Sequence, residues 1–146
     1  MSFEAAYTAI FDDIETTLKE LHPTVKQVIY KTEGKGIIRQ FPCVFINPGR
    51  FTLDPADAMG IADVGNYALD IRGELVILIR EADPDNWFGD IIEVIGEIID
   101  AIFADQTLGG SCLEAYPNSG GPGEVTFQNT LYYGGTIGIR ALRGYL

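Results

Sequence analysis

The chain has 146 residues, 47% of them hydrophobic, with 21 acids against 10 bases and a net charge of −11. That length fits one domain, 1–146, able to bury a real core, and the apolar content excludes a disordered chain. The bases form no cluster, which excludes tight nucleic-acid binding, because that needs several Lys or Arg on phosphates.

The longest unbroken apolar run, LVILI at 75–79, is far too short to cross a bilayer. The opening text, MSFEAAYTAIFDD, has no basic n-region, so no secretion signal is expected there. Cys43 and Cys112 lie in strand-like apolar text and read as buried free thiols rather than a disulfide framework.

In chain order, Phe3, Tyr7, Ile10, Ile14, Leu18 and Leu21 recur at three- and four-residue steps, which predicts a helix over 3–21. Ser2 suits its N-cap and Glu4 its positive first turn. His22-Pro23 ends it, since the residue before proline avoids the α region. Strands are expected at 25–31 and 36–46, joined as a hairpin through TEGKG. Pro42 cannot donate to a ladder, so its strand is an edge or starts there.

Residues 47–66 read as a long loop, which in a domain of this size usually has a job or orders in an assembly. The text at 67–80 is the clearest strand. Tyr67, Leu69, Ile71, Leu75, Ile77 and Ile79 face one way, and Val76 and Leu78 make its far half apolar on both faces, so both need covering. DPDNW opens a second helix, with Asp83 or Asp85 as cap. Phe88, Ile91, Ile92, Ile95, Ile98, Ile99 and Ile102 form its wide apolar face, against helix propensity, so burial must decide its conformation. Asp90, Glu93, Glu97 and Asp100 fall on another stripe of the same helix.

DQTLGG (105–110) then stops the helix on glycines suited to the left-handed region, and SCLEAY returns to the sheet. A second Gly/Pro-rich loop is expected at 117–123. The tail, 125–143, alternates over a length that would reach roughly 60 Å as one strand. A domain of this size is only about 40 Å across. The tail must therefore bend, turn back or project from the body, and Gly134-Gly135 is the expected place for a hairpin turn or a corner. The fold class that follows is α+β: an antiparallel or mixed sheet of four or five strands, with two main helices on one face.

Catalytic patterns are missing from the text. His22, beside a proline at a helix end, reads as a surface residue. GKG at 34–36 lacks the spacing of a phosphate loop, and one His with two distant Cys is a poor zinc set. DPDNWFG fails as a calcium loop because Trp87 takes an alternate ligand position and the glycine comes late. Acid pairs such as Asp12/Asp13 and Asp54/Asp57 read as solvated faces. No catalytic, cofactor or metal residue is expected.

The element order, DQTLGG at 105–110 and the closing YYGGTIGIRALRGYL together resemble the tail-terminator or tail-completion proteins of long-tailed viruses. Those are small α+β subunits that form a hexameric ring between the head–neck connector and the tail tube. The resemblance runs over nearly the whole chain in element order and is specific at DQTLGG, where many members have proline at the position of Gln106. It implies a structural virion protein of the tail or neck, in the host cytoplasm during assembly, with no active site and no cofactor. Its partners would be copies of itself, the tail tube protein and the neck protein, with DNA passing unbound.

On that reading Arg50, Phe51, Leu53 and Met59 in the 47–66 loop are candidate subunit or partner contacts. Thr126, Gln128, Thr130 and Thr136, on a small polar face of the closing strands, are further candidates. Asp90, Glu93, Glu97 and Asp100 are candidates to line the channel. The alternatives are another neck or tail component, such as a head-closure or baseplate subunit, or a small enzyme or ligand-binding domain using clustered carboxylates.

Overall fold

Ser2 starts the first helix as its composition predicts: the backbone is extended there (φ −74°, ψ 157°) and the side-chain Oγ accepts from the Ala5 N–H at 3.2 Å. The computed structural model describes residues 2–30, 37–55, 67–81 and 87–145, less the side chains of Arg80 and Glu81. Helix α1 (Phe3–Lys19) buries Ala6, Ile10, Phe11, Ile14 and Leu18. It is followed by β1 (Gln27–Ile29), β2 (Cys43–Pro55), β3 (Tyr67–Glu81), helix α2 (Trp87–Ala104), β4 (Glu114–Phe127) and β5 (Thr130–Tyr145).

The strands form one five-stranded mixed sheet in the order β1-β2-β3-β5-β4. The α+β expectation therefore holds. Both helices lie on the same face: Ile10, Ile14 and Leu18 of α1 and Ile91, Ile98 and Ile102 of α2 share one buried cluster with Leu69, Ile71, Leu75 and Ile77 of β3. The other face of the far half of β3 is covered too, as its double apolar pattern requires. There Val76 and Leu78 pack with Ile29, Cys43 and Tyr132, flanked by Ile38 and Phe41. Gln27 ties that cover down. Its Nε2 donates to the Ile37 carbonyl at 2.8 Å, and its Oε1 accepts from the N–H of Arg39 at 2.7 Å and Gln40 at 3.1 Å.

Four expectations need correction. First, β1 and β2 run parallel, Gln27 opposite Cys43, so no tight hairpin joins them; parallel strands need a longer connection. TEGKG itself lies outside the described residues, although β2 does begin directly after Pro42.

Second, 47–55 is not loop. It continues β2, paired from Asn47 opposite Glu74 to Pro55 opposite Tyr67. The Pro-Gly text is absorbed by a bulge between Pro48 and Phe51, and the long partner strand supplies the ladder that composition alone argues against. Residues 56–66 lie outside the described residues.

Third, 117–123 is likewise strand, the middle of β4, with a bulge between Pro117 and Ser119. It sits at the sheet edge, where prolines are tolerated.

Fourth, the tail does fold back, but at Gln128-Asn129 (φ 50° and 64°), not at Gly134-Gly135. Phe127 pairs with Thr130 across that two-residue turn, the geometry that fits the twist of a hairpin. Gly134 instead lies inside β5, where a Cβ would run into the Ile77 carbonyl oxygen of β3.

Candidate interaction surfaces

After Ala104 the side chain of Asp105 gathers the DQTLGG turn. Its Oδ2 accepts from the Gly109 N–H at 3.0 Å and its Oδ1 from the Thr107 Oγ1 at 3.2 Å. Leu108, Gly109 and Gly110 take φ values of 48°, 69° and 99°, and Leu108 is buried as the anchor. This turn sets β4 at the edge of the sheet beside α2, and that arrangement leaves a groove. Ile92, Ile95, Ile99 and Phe103 of α2 form one wall; Pro117, Gly120 and Pro122 of β4 form the other, enclosing about 420 Å³. The apolar face of α2 is wider than the sheet can cover: Ile91, Val94, Ile98 and Ile102 are buried, while Phe88, Ile92 and Phe103 are 57%, 45% and 51% exposed. Near the start of the helix, Trp87 stacks on Tyr133 of β5 at 4.8 Å, which fixes how the helix enters the fold.

The four acids of α2 keep their stripe on one continuous helix, and its two halves have different surroundings. Asp90 is half-buried and Glu93 exposed, and both line a hollow of about 310 Å³ with Pro23, Phe41, Pro42 and Ile79. Glu97 and Asp100 are exposed further along the helix, away from that hollow.

At the far side of the sheet, β1 covers β2 only at Cys43, Val44 and Phe45. Arg50, Phe51 and Leu53 follow on a stretch that no other described strand covers on that side, all exposed, with the Phe51 ring 4.7 Å from that of Phe3. Tyr7 donates its hydroxyl to the Gly49 carbonyl at 2.6 Å and pins this stretch to α1. Met59 lies outside the described residues.

The small polar face expected of the closing strands is not a single face. The hairpin turn puts Thr126 opposite Leu131 and Thr130 opposite Phe127, so Thr126 and Thr130 point to opposite sides of the sheet. Gln128 is exposed in the turn itself, and Thr136 lines the α2–β4 groove.

The sequence pattern did not single out a charged cluster on the open face. Asp70, 4% exposed, is held by Arg140 of β5, whose Nη2 lies 2.7 Å from Oδ2 and whose Nε lies 3.1 Å from Oδ1. Arg140 also donates from Nη1 to the Tyr116 hydroxyl at 2.9 Å. The hydrogen bond to Asp70, then that to Tyr116, pushes the guanidinium pKa further up. Arg72 completes the cluster at 3.7 Å from Asp70. Alternation marks Asp70 and Arg140 only as outward; the pairing across strands that joins them is invisible to it.

Cys43 and Cys112 are free and buried, and burial pushes each thiol up to about 11. Among the described residues no group of three or more His, Cys, Asp or Glu is placed to hold a metal. No helix among them is long and apolar enough to cross a membrane.

No protein-family model matches the sequence, and no curated protein matches it.

Proposed function

We propose that this chain is a structural subunit that assembles with copies of itself into a ring at the head–tail junction of a long-tailed virus, terminating the tail tube and joining it to the neck. The observation that carries the reading is the uncovered apolar face of α2. Ile92 and Phe103, each about half exposed, line a groove walled by prolines and glycines of β4, and Phe88, also about half exposed, lies near the start of the same helix. Contiguous apolar surface of this kind supports a contact with another protein. The groove carries little polar chemistry of its own, which suits packing better than catalysis.

The sequence resemblance points the same way, and its departure at Gln106 is harmless here. Gln106, which stands where many members of that family have proline, contributes its backbone carbonyl, accepting from the Ala115 N–H at 2.6 Å. Proline offers the same carbonyl. The acid excess fits a ring through which DNA passes without being gripped, since like charge repels phosphates over about 8–10 Å at ordinary salt. Glu97 and Asp100, exposed on α2, are the members of the stripe best disposed to line such a passage.

Negative-stain imaging of the purified chain, alone and mixed with tail tubes, tests the reading. Closed rings that cap tube ends are the expected result. A chain that stays unassembled under both conditions overturns it.

A further inference from the structure

We infer that the open edge of β2 pairs with the same edge of a second copy of this chain, antiparallel, about a two-fold axis through Thr52. Among the described residues the strand from Asn47 to Pro55 is paired on one side, to β3, with Gly49 and Arg50 in the bulge of that ladder, and every residue of it is exposed. Such an edge presents unpaired N–H and C=O groups, and monomers blunt it with proline, charge, a bulge or a cover; the bulge here lies before Phe51 and leaves Phe51–Pro55 regularly paired to β3. Here Pro48 and Pro55 stand towards the ends, so the residues between them keep their N–H donors.

The stretch between is self-complementary. With Thr52 opposite its own copy, Phe51 meets Leu53 of the second chain and Arg50 meets its Asp54. Opposed threonines, an aromatic against an aliphatic side chain and opposite charges all favour antiparallel pairing. Moving the axis to Phe51 or Leu53 places Thr52 opposite Arg50 or Asp54 and breaks both ion pairs. Charge and apolarity therefore select the same axis.

The faces agree as well. Phe51 and Leu53 pair with Ile71 and Leu69 of β3, which puts them on the helix side. Thr52 and Asp54 pair with Asp70 and Ala68, on the other side. Arg50 lines a hollow with Arg72 and Glu74, also on that other side. Ion pairs would thus form on one face and apolar pairs on the other, covering Phe51 and Leu53, which are 49% and 41% exposed in the single chain. Arg50 has no carboxylate partner among the described residues, so its pairing across the axis displaces nothing. The contact is separate from the ring: a two-fold pair uses one patch twice, whereas a ring needs two different patches on each subunit.

Sedimentation velocity over a concentration series of the full chain reads the pairing. The wild type is expected to move from monomer to dimer. Arg50→Asp and Asp54→Arg each set like charges opposite one another at both ends, and each is expected to weaken pairing by roughly tenfold. Combining both substitutions in one chain is expected to restore it, and mixing the two single variants is expected to give hetero-pairs. All these side chains are exposed, so circular dichroism is expected to stay unchanged.

Thr52→Cys is expected to form a disulfide-linked dimer under mild oxidation. Directly opposed residues sit about 4.5–5.5 Å apart at Cα, within disulfide reach. Cys43 and Cys112 are buried and do not compete. A chain that stays monomeric, a dimer indifferent to the charge swap, or a Thr52→Cys variant that does not cross-link overturns the edge pairing. Rings that form regardless of these variants leave the ring reading standing; paired edges without rings do the reverse.

Discussion

Arg140 grips Asp70 with two of its nitrogens across neighbouring strands, and with Arg72 3.7 Å from the same carboxylate it sets a charged cluster into the body of the sheet. Asp70 keeps almost no contact with water, so Arg140 supplies hydrogen bonds that solvent does not. Removing one partner of a buried pair costs about 3–5 kcal/mol, because the other is left uncompensated. Arg140→Ala is expected to fall near the lower end, since the arginine side chain is 27% exposed and water can enter beside it. Arg140→Lys keeps the charge but loses the fork, and is expected to cost about half as much. Replacing both residues with leucine is expected to recover most of the loss. Urea unfolding of the three variants beside the wild type measures each value.

The thiols give a prediction with a definite sign. Burial raises Cys43 and Cys112 to about 11 from an ordinary 9.0. A raised pKa means the folded state holds its proton more tightly than the unfolded chain. Stability from these groups is therefore fully present below pH 9 and is lost as pH rises through about 11. Native protein at pH 8 is expected to react slowly with a thiol reagent and to show two fast thiols once unfolded. Cys43→Ala/Cys112→Ala is expected to flatten the alkaline loss in a stability-against-pH series, although the two cavities lower stability at every pH.

Two glycines predict opposite effects. Gly96 lies inside α2, and a Cβ there meets nothing within 4 Å. Gly96→Ala is expected to stabilise by about 0.5–1 kcal/mol through helix propensity. Gly134 is squeezed against the Ile77 carbonyl, opposite the stretch where β3 bulges between Leu78 and Arg80. Gly134→Ala is expected to destabilise by about 1–3 kcal/mol, because backbone rather than a movable side chain must yield. Thermal unfolding of the pair decides it.

These residues also show what the sequence could convey. Periodicity placed both helices and the two-faced β3 because those signals are local: Ser2 caps, Ile91 and Ile98 repeat, and Val76 and Leu78 interrupt alternation. Composition misled at 47–55 and 117–123, where Pro and Gly argue for loop but a long neighbouring strand satisfies the backbone. It misled again at the hairpin, where Gln128-Asn129 takes positive φ and the glycine pair does not. Asp70 and Arg140 are 70 positions apart and meet through register, which one sequence does not encode locally. The contact candidates Arg50, Phe51 and Leu53 were legible as exposed, but for the wrong reason, as loop rather than as strand edge.

The last prediction separates covering the core from covering the groove. Ile98 and Ile92 are both on α2, yet Ile98 is fully buried and Ile92 is nearly half exposed. Ile98→Ala is expected to cost about 2–5 kcal/mol, since it removes core atoms and leaves a cavity. Ile92→Asp removes no such packing, and surface changes of this kind usually stay within about 0.5 kcal/mol. The same holds for Phe103→Asp, at the far end of the groove wall. If the groove receives another subunit, these two aspartates desolvate a charge at the contact, and ring formation is expected to fail while the unfolding curve barely moves. Imaging and denaturation on the same preparations test this together. Rings that persist in Ile92→Asp/Phe103→Asp would move the ring contact away from α2 altogether, because no assembly seated there would tolerate two buried carboxylates without a partner.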